Sequence, residues 1–294
     1  MKVLNKILAF GVLLTSSYSS VSSAGLLDLG INLNEADRYT FAVGNHGSLL
    51  LGSEADVYGH VAAEFFVQLA SGAKVHGDAC ANSPVSLGPL ATVAGQTGNS
   101  GNCNDISNLT STIFEVNSVA ASLSGISLHD VNNTQTLFAN NSLVYDVNNL
   151  TLETGEFLTI NGGANDAVVI NVAGDASIGS GAGILLDGGI NANNVLFNFL
   201  DTNVVSNFEF GGAEISGTFL ANNRSFQLGD GATLENVRFY TNASMQANVQ
   251  VVQNPPHVNV SEPTSIVLLV TFLLILVYRN KFQRKYKTNS SSYS

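Results

Sequence analysis

Cys80 and Cys103 have the best-defined chemistry in this sequence, because they are its only two cysteines. Neither has a second Cys or a His beside it at metal-ligand spacing, which disfavours a metal site. His76 is near Cys80, but an oxidising compartment would consume a reactive thiolate. In an exported chain, an even pair forms one disulfide most simply. We therefore expect a Cys80–Cys103 disulfide that closes a segment otherwise expected to be flexible, with Pro84, Pro89 and several glycines.

The histidines show no catalytic or metal-binding arrangement in the sequence. Five are present, and no two of them have the spacing of metal ligands: His46, His60, His76, His129 and His257. The chain has no nucleophile elbow, no P-loop and no dinucleotide-binding glycine motif. His60 is close in sequence to Asp56 and Glu64, which we interpret as an exposed polar turn. We predict no catalytic residues, no metal ligands and no enzymatic activity.

Calcium is the one cofactor for which the sequence offers ligands. Carboxylates at chain corners can bind Ca²⁺, and the acidic residues at such positions are Asp166, Asp175, Asp187 and Asp230. No calcium-loop signature accompanies them, and aspartates at corners more often make turn hydrogen bonds. We predict no cofactor, and Ca²⁺ stays the open alternative.

The charge distribution separates a strongly acidic body from basic ends. Between Gly25 and Thr264 stand four basic residues and all 22 acidic ones, a formal charge of −18. Such a body repels nucleic acid and anionic lipid head groups. Nucleic-acid binding is therefore excluded as a function class, and Arg224 and Arg238 are too few to form a basic groove.

The first 24 residues have the pattern of a secretory signal peptide. Lys2 and Lys6 provide the positive start, an apolar stretch follows, and small residues precede a cut between Ala24 and Gly25. We predict that residues 1–24 are removed on export.

The C-terminal end predicts a membrane segment with a defined orientation. After a linker, residues 253–263, which ends in Ser261-Glu262-Pro263, an uncharged run spans Thr264–Tyr278. This run is shorter than the roughly 20 residues of an ordinary spanning helix. The basic tail, residues 279–294, would stay cytoplasmic by the positive-inside rule. We expect an exported ectodomain held, transiently or permanently, in the inner membrane through residues 264–278, with its final place the cell envelope, cell surface or extracellular matrix.

Residues 25–252 break into short β-type runs separated by Gly, Asn and Asp. One helix is predicted from Thr110 to Leu123, where apolar residues recur at helical spacing and Asn104–Asn108 offers cap residues. Strands this short are unstable as free hairpins, but stacked as rungs they bury their apolar sides against each other. We predict an all-β, irregular β-solenoid with one accessory helix, and a β-sandwich is the alternative.

Two resemblances add to this interpretation. The order of Ser261-Glu262-Pro263, short apolar helix and basic cluster resembles the PEP-CTERM sorting signal, which implies a Gram-negative host and an exosortase-type protease as partner. Four segments within residues 39–241 resemble the choice-of-anchor A domain in the family's order. They are Asp56–Ala63, Val168–Gly174, Val195–Asp201 and Glu214–Ala221. That family implies an adhesive surface protein.

The sequence therefore predicts a non-enzymatic surface protein, an adhesin or a component of a biofilm matrix, whose partner is extracellular polysaccharide or another surface ligand. Two alternatives come from other classes. One is a carbohydrate-active β-helix enzyme. The other is an ice-binding protein, which would normally present a flat, regular row of Thr-type side chains, and no such row is readable in the sequence.

Overall fold

The computed structural model describes Leu26, residues 29–99, Cys103 and residues 106–140, 143–200, 208–210, 214–229 and 233–252. All of them belong to the compact unit Met1–Asn254. The predicted signal peptide with Ala24 and Gly25, the Ser261-Glu262-Pro263 motif, the apolar run and the basic tail lie outside the described residues. Within the described part, no helix is long and apolar enough to cross a membrane.

The strands are two to ten residues long. Those before the helix are β1 (Tyr39–Val43), β2 (Ser48–Leu51), β3 (Asp56–Val57), β4 (His60–Ala63), β5 (Phe66–Leu69), β6 (Lys74–Val75), β7 (Ala79–Ala81), β8 (Ser86–Leu87), β9 (Thr92–Val93) and β10 (Thr97–Gly98). Helix α1 spans Leu109–Ser122, and 3-10 turns cover Asn34–Arg38, Ile106–Asn108 and Ala192–Asn194.

The strands after the helix continue the same pattern to the end of the described chain. They are β11 (Ile126–Val131), β12 (Gln135–Phe138), β13 (Leu143–Leu152), β14 (Phe157–Asn161), β15 (Val168–Val172), β16 (Ala176–Ile178), β17 (Gly183–Asp187), β18 (Val195–Phe199), β19 (Phe208–Phe210), β20 (Glu214–Ile215), β21 (Gly217–Ala221), β22 (Phe226–Leu228), β23 (Thr233–Glu235), β24 (Val237–Thr241), β25 (Met245–Ala247) and β26 (Gln250–Val252).

The strands stack into three sheet faces around one core, which we name by their order along each coil. Face A consists of β10, β7, β4, β1, β24, β21, β18, β15 and the first halves of β13 and β11. Face B consists of β8, β5, β2, β25, β22, β19, β16 and the second halves of β13 and β11. Face C holds the remaining strands. Every described pairing is parallel, for example β15 with β18 and β14 with β17. The fold is therefore the predicted solenoid and not the alternative sandwich.

The coils do not stack in sequence order. Strand β1 lies between β4 and β24, so that Phe41 pairs with Phe239 on one side and Val61 on the other. The first coils therefore extend from β1 to an end at β8, β9 and β10. Helix α1 packs along face A, and the coils after the helix extend from β11 back to β24. The last coil along the chain thus packs against the first one.

The core is filled by inward side chains that repeat at the same position of successive coils. Phe197 and Phe219 stack with ring centroids 4.8 Å apart, and Phe219 and Phe239 follow at 4.9 Å. Phe239 then contacts Phe41 at 6.0 Å across the junction of late and early coils. Buried aromatic pairs of this kind add to the free energy gained from removing apolar area from water. The aromatic row therefore joins the two halves of the chain.

Helix α1 covers face A through a second apolar cluster. Its inward residues Leu109, Ile113, Val116 and Ala120 pack with outward face-A residues, and the cluster's strand members include Ala42, Ala62, Val169, Leu196, Leu220 and Tyr240. Gly44 permits the helix to approach face A closely, because a Cβ atom at this position would lie only 2.8 Å from the Thr110 Cα. The predicted helix is confirmed, with bounds one residue earlier at each end.

The start of the helix differs from the sequence prediction. Asn108 stands at the cap position but makes no side-chain cap hydrogen bond. Instead, the Thr110 N–H donates to Oε1 of Glu64 over 2.9 Å, although Glu64 lies 46 residues earlier. A carboxylate here satisfies a free N–H and favours the positive end of the helix dipole. The cap comes from a neighbouring strand end, which local sequence reasoning does not detect.

The disulfide is confirmed, but the segment that it closes is not the expected flexible loop. Cys80 and Cys103 are bonded, with 5.2 Å between their Cα atoms. Cys80 lies on β7, and β8, β9 and β10 follow it before Cys103, forming the terminal coil of the solenoid. The bond therefore joins a solenoid strand to the segment that leads into helix α1.

Candidate functional site

The three faces differ in what they expose, and face A exposes the least. Helix α1 packs on its central strands, and the outward residues beneath the helix are almost fully buried. Polar contacts reinforce the cover, since Asn171 on β15 donates to the Ala120 carbonyl over 3.0 Å. Face A is therefore a structural surface.

Face C is open to solvent and charged. It forms two sheets, β12-β14-β17-β20 and β23-β26-β3-β6-β9, with no pairing between β20 and β23 among the described residues. Its exposed residues include Lys74, Asp187, Glu214 and Glu235. Charged side chains retain bound water, and giving up that water costs free energy. Face C is therefore a well-hydrated surface.

Face B is continuous across the whole solenoid, and nothing in the described structure covers it. Nine parallel strands run from β11 to β8 without a break, crossing the junction where β25 pairs with β2. Outward and inward side chains alternate, as in Met245-Gln246-Ala247, where only Gln246 is exposed. The result is a long sheet surface from which outward side chains project in every coil.

The central outward positions of face B form a row, which we call the face-B row. The register places one residue per coil, in the order Thr151, Ser177, Glu209, Gln227, Gln246, Leu50, Gln68 and Ser86. Glu209 is the only charged residue among these eight. Thr, Ser and Gln side chains both donate and accept hydrogen bonds. In a body with charge −18, this row is an almost neutral line of hydrogen-bonding groups.

The spacing of the face-B row is regular because the coils are hydrogen-bonded to each other. Neighbouring strands in a sheet lie about 4.8 Å apart, so the row repeats at that interval. Six of these eight residues are held between two buried neighbours, for example Gln227 between Phe226 and Leu228. The core thereby fixes the backbone from which these side chains project.

A second group of functional side chains lies on the early coils, and we call it the histidine corner: Arg38, Asp56, Tyr58, His60, His76 and Asp78. His76 Nε2 lies 2.7 Å from Asp56 Oδ1, and the His76 ring stacks on Tyr58 at 3.9 Å. The backbone N–H of Asp78 donates to His60 Nδ1 over 3.0 Å. Sequence reasoning placed His60 beside Asp56 and Glu64, whereas the fold pairs it with Asp78 on the next coil.

The charged and polar side chains of the histidine corner pair with one another. Arg38 Nη2 lies 3.5 Å from the carboxylate of Asp78, which also accepts the Gln96 N–H over 2.8 Å. In the described residues, no three His, Cys, Asp or Glu side chains come together as a metal site. His46 and His129 lie elsewhere on the solenoid, and His257 is outside the described residues.

Two of the four candidate calcium ligands make the turn hydrogen bonds expected of corner aspartates. Gly163 N–H donates to Asp166 Oδ2 over 2.8 Å, and Gly188 N–H donates to Asp187 Oδ1 over 2.7 Å. Asp175 is exposed, and its backbone N–H donates to Asn149 Oδ1. Asp230 lies outside the described residues. Asp166 and Asp187 therefore serve as turn residues in the described structure.

Arg224 and Arg238 are interior residues rather than parts of a basic groove. Arg224 is 2% exposed and donates to the carbonyls of Gly174 (2.6 Å) and Leu200 (2.7 Å) at the turns of neighbouring coils. Arg238 is 7% exposed, with the Asp37 carboxylate 2.9 Å from its guanidinium. Both arginines therefore connect separate segments of the fold.

The face-B row was not predicted from the sequence. Its strands β16 and β25 are three residues long and were missed, although each has the pattern apolar-polar-apolar. The same triplet recurs in Phe226-Gln227-Leu228. Such triplets spaced by about one coil are the signal that would have identified the face.

Comparisons with known proteins find fold relatives only. No protein-family model and no curated protein matches the sequence. Among solved structures, an ice-binding protein from an Antarctic bacterium of the Flavobacteriaceae is 19% identical, with a TM-score of 0.54, over 76% of this chain and 48% of that one. An ice-binding protein from an Antarctic biological consortium is 20% identical, with a TM-score of 0.52, over 75% of this chain and 90% of that one.

An ice-binding protein from an Arctic yeast, described for its antifreeze activity, is 15% identical, with a TM-score of 0.51. It is matched over 77% of this chain and 95% of its own length. The likeness at these identities shows a common fold, a β-solenoid with a helix beside it. It leaves the resemblance to the choice-of-anchor A domain untested.

Proposed function

We propose that this chain is an ice-binding protein and that face B is the surface that adsorbs to ice. The observation that carries the proposal is the continuity of face B together with the near-neutrality of the face-B row, described above. The fold relatives, which are themselves ice-binding proteins, support the same class of function. This proposal takes the place of the adhesin interpretation as the leading one, and ice is the surface to which the protein would adhere.

The physical argument starts from the nature of the ligand. Ice is an uncharged, rigid array of hydrogen-bond donors and acceptors. A charged side chain must lose its hydration shell to lie against that array, at a cost that the neutral lattice does not return. Side chains that both donate and accept, held at regular spacing on a rigid sheet, replace water contacts without this cost. The face-B row meets these conditions, whereas face A is covered and face C exposes several charged side chains.

The face-B row departs from a simple threonine row, since only Thr151 among its eight residues is a threonine. Gln227, Gln246 and Gln68 provide amide groups at the corresponding positions, and Leu50, 38% exposed, contributes apolar contact. Glu209, which the register places between Ser177 and Gln227, is the one charged residue of the row. We therefore expect an affinity for ice that rests on the neutral part of the row.

The test is thermal hysteresis together with partitioning of the purified protein into slowly growing ice. Wild type should show both. Gln246→Lys places a charge in the middle of the row, and we expect it to reduce partitioning about tenfold, because adsorption would then have to strip water from an ammonium group.

The matched control is Thr136→Lys, which adds the same charge at an exposed position of β12 on face C. It should behave as wild type. The proposal fails if wild type shows neither hysteresis nor partitioning, and face B is the wrong surface if both variants lose the activity equally.

The predicted export of the chain, its sorting by an exosortase-type protease and its place at the cell surface concern segments outside the described residues, so they stay predictions. Export would bring face B into contact with external ice. Intact-mass analysis of the protein isolated from cells would report both cleavages.

A further inference from the structure

Six outward side chains form two short rows on face C, where the early coils end. Strand β9 is the last strand of its sheet, with β6 and then β3 behind it. The register pairs Lys74 with Asp56 on one side and with Thr92 on the other, which gives the first row. Two residues further along the same three coils, the second row consists of Tyr58, His76 and Ala94. We call these six residues, all of them at least partly exposed, the edge patch.

The second row of the edge patch is a stack of two rings beside an open place. The Tyr58 and His76 rings lie 3.9 Å apart and only 8° from parallel. Because Tyr58 lies on the β3 side of His76, the opposite face of the imidazole is directed toward β9. There the register continues from Val93 to Ala94, whose methyl group is too small to cover a ring. The row therefore offers a flat ring surface with space for one further ring beside it.

The first row places polar groups of different kinds next to this surface. Asp56 Oδ1 lies 2.7 Å from His76 Nε2, which fixes the orientation of the imidazole. Since that carboxylate is engaged with His76, Lys74 has no ion-pair partner among the described residues. The Lys74 ammonium group donates hydrogen bonds, and the Thr92 hydroxyl both donates and accepts them. The charges of Lys74 and Asp56 cancel, so the edge patch is locally neutral on a body with charge −18.

We propose that the edge patch is a binding site for a neutral polysaccharide, with one sugar ring lying on the open face of His76 above Ala94. A pyranose ring has C–H groups on its faces, which pack on an aromatic ring, and hydroxyl groups at its rim, which need hydrogen-bond partners. The edge patch provides both kinds of contact, and its two rings are already ordered before the ligand binds. The acidic body repels acidic polysaccharides and nucleic acids, which leaves a neutral chain as the ligand. This function is separate from ice binding, because the edge patch lies on face C and the face-B row on another side of the solenoid.

The test is native electrophoresis of the purified full chain in gels that each contain one polysaccharide. Hydroxyethyl cellulose, dextran and mannan are the neutral probes, and alginate is the acidic one. At least one neutral polysaccharide should retard wild type. Tyr58→Ala removes half of the ring stack, and we expect it to raise the dissociation constant at least about tenfold. Ala94→Leu fills the space beside His76, so it should raise the constant by as much although it removes no group that contacts the ligand. Both positions are exposed, so both variants should keep the far-UV circular dichroism of wild type.

The matched control is Phe138→Ala, because Phe138 is an aromatic residue, 53% exposed, on face C at the β11–β12 end of the solenoid. It should bind as wild type does. The proposal is overturned if no neutral polysaccharide retards wild type, if alginate retards it more strongly than they do, or if either edge-patch variant binds as tightly as Phe138→Ala. Thermal hysteresis of the same samples keeps the two proposals apart, since Tyr58→Ala and Ala94→Leu should both retain it.

Discussion

At the scale of single residues, buried amide side chains join helix α1 to the sheet beneath it. Asn198, 0% exposed, donates to Asn171 Oδ1 over 2.9 Å and accepts from Asn117 Nδ2 over 2.8 Å. These three residues come from two coils and the helix. A buried polar group without a partner costs roughly 1–3 kcal/mol, so this arrangement strongly favours one position of the helix along face A.

Tyr240 provides a prediction about alkaline pH. Its hydroxyl is buried beneath the helix and donates to the Tyr39 carbonyl over 3.1 Å. Burial raises the pKa of Tyr240 well above the usual tyrosine value, with Arg238 opposing this shift and Asp37 adding to it. A folded-state pKa above the unfolded value means that stability is intact below the unfolded pKa of about 10 and is lost as the pH rises beyond it.

We therefore expect the free energy of unfolding of wild type to fall above about pH 10, with Tyr240 contributing up to about 1.4 kcal/mol per pH unit. The Tyr240→Phe variant has no hydroxyl proton to lose at this position, so its free energy of unfolding should fall less steeply over the same pH range. Its free energy of unfolding should be lower than that of wild type at neutral pH, because the hydrogen bond is absent. Urea unfolding of both proteins from about pH 8 to pH 11 measures this. Parallel pH profiles would contradict it.

At the scale of elements, the disulfide fixes the start of helix α1 to the terminal coils. Cys80 on β7 and Cys103 are 23 residues apart and both 0% exposed. Closing a loop of that length contributes about 3 kcal/mol by restricting the unfolded chain. We expect the single variant Cys103→Ala to lower the free energy of unfolding by about this amount. The same loss is expected for the double variant in which both Cys80 and Cys103 are replaced by Ala.

The single and double cysteine variants distinguish the cross-link from side-chain packing. Either substitution removes the whole cross-link. The double variant should therefore lose little more free energy of unfolding than the single variant. Urea unfolding of both, beside the oxidised wild type, provides the comparison. An unchanged unfolding midpoint in the single variant would show that the bond contributes nothing.

The elements that the sequence predicts best are those with the longest apolar pattern. Val195–Phe199, buried at every position, and Tyr39–Val43 were predicted with the bounds that the structure has, because face-A strands pack against both the core and the helix. Ala176–Ile178 and Met245–Ala247 on face B were missed, since three residues with one outward polar side chain resemble a turn. The face-B row depends on these short strands, so it became visible only in the structure.

At the scale of the whole molecule, the order of coils could not be predicted from local patterns. Strand β24 docks on β1 although some 200 residues separate them, and their pairing depends on the path of every coil between. No local pattern encodes this partner. Face B runs without interruption from early coils to late ones at this junction, because β25 pairs with β2 next to the pairing of β24 with β1.

The junction of β1 and β24 predicts that the solenoid unfolds as one cooperative unit. Phe41 and Phe239 are both fully buried, and their rings lie 6.0 Å apart across it. Either Phe→Ala substitution should lower the free energy of unfolding by about 3–5 kcal/mol. Because the two rings contact each other, the double variant should lose less than the sum of the single losses, by about 0.5–1.5 kcal/mol.

The matched control for this double-mutant comparison combines Phe41→Ala with Phe197→Ala. Phe197 stands two strands beyond Phe239 in the same aromatic row, so it has the same core environment without contacting Phe41. At roughly 14 Å, three strand spacings, the two losses should add. Urea unfolding followed by tyrosine fluorescence and by far-UV circular dichroism measures each variant. Two separate transitions in wild type, or additive losses for Phe41 and Phe239, would show that the early and late coils fold independently and that face B is not held together through the junction.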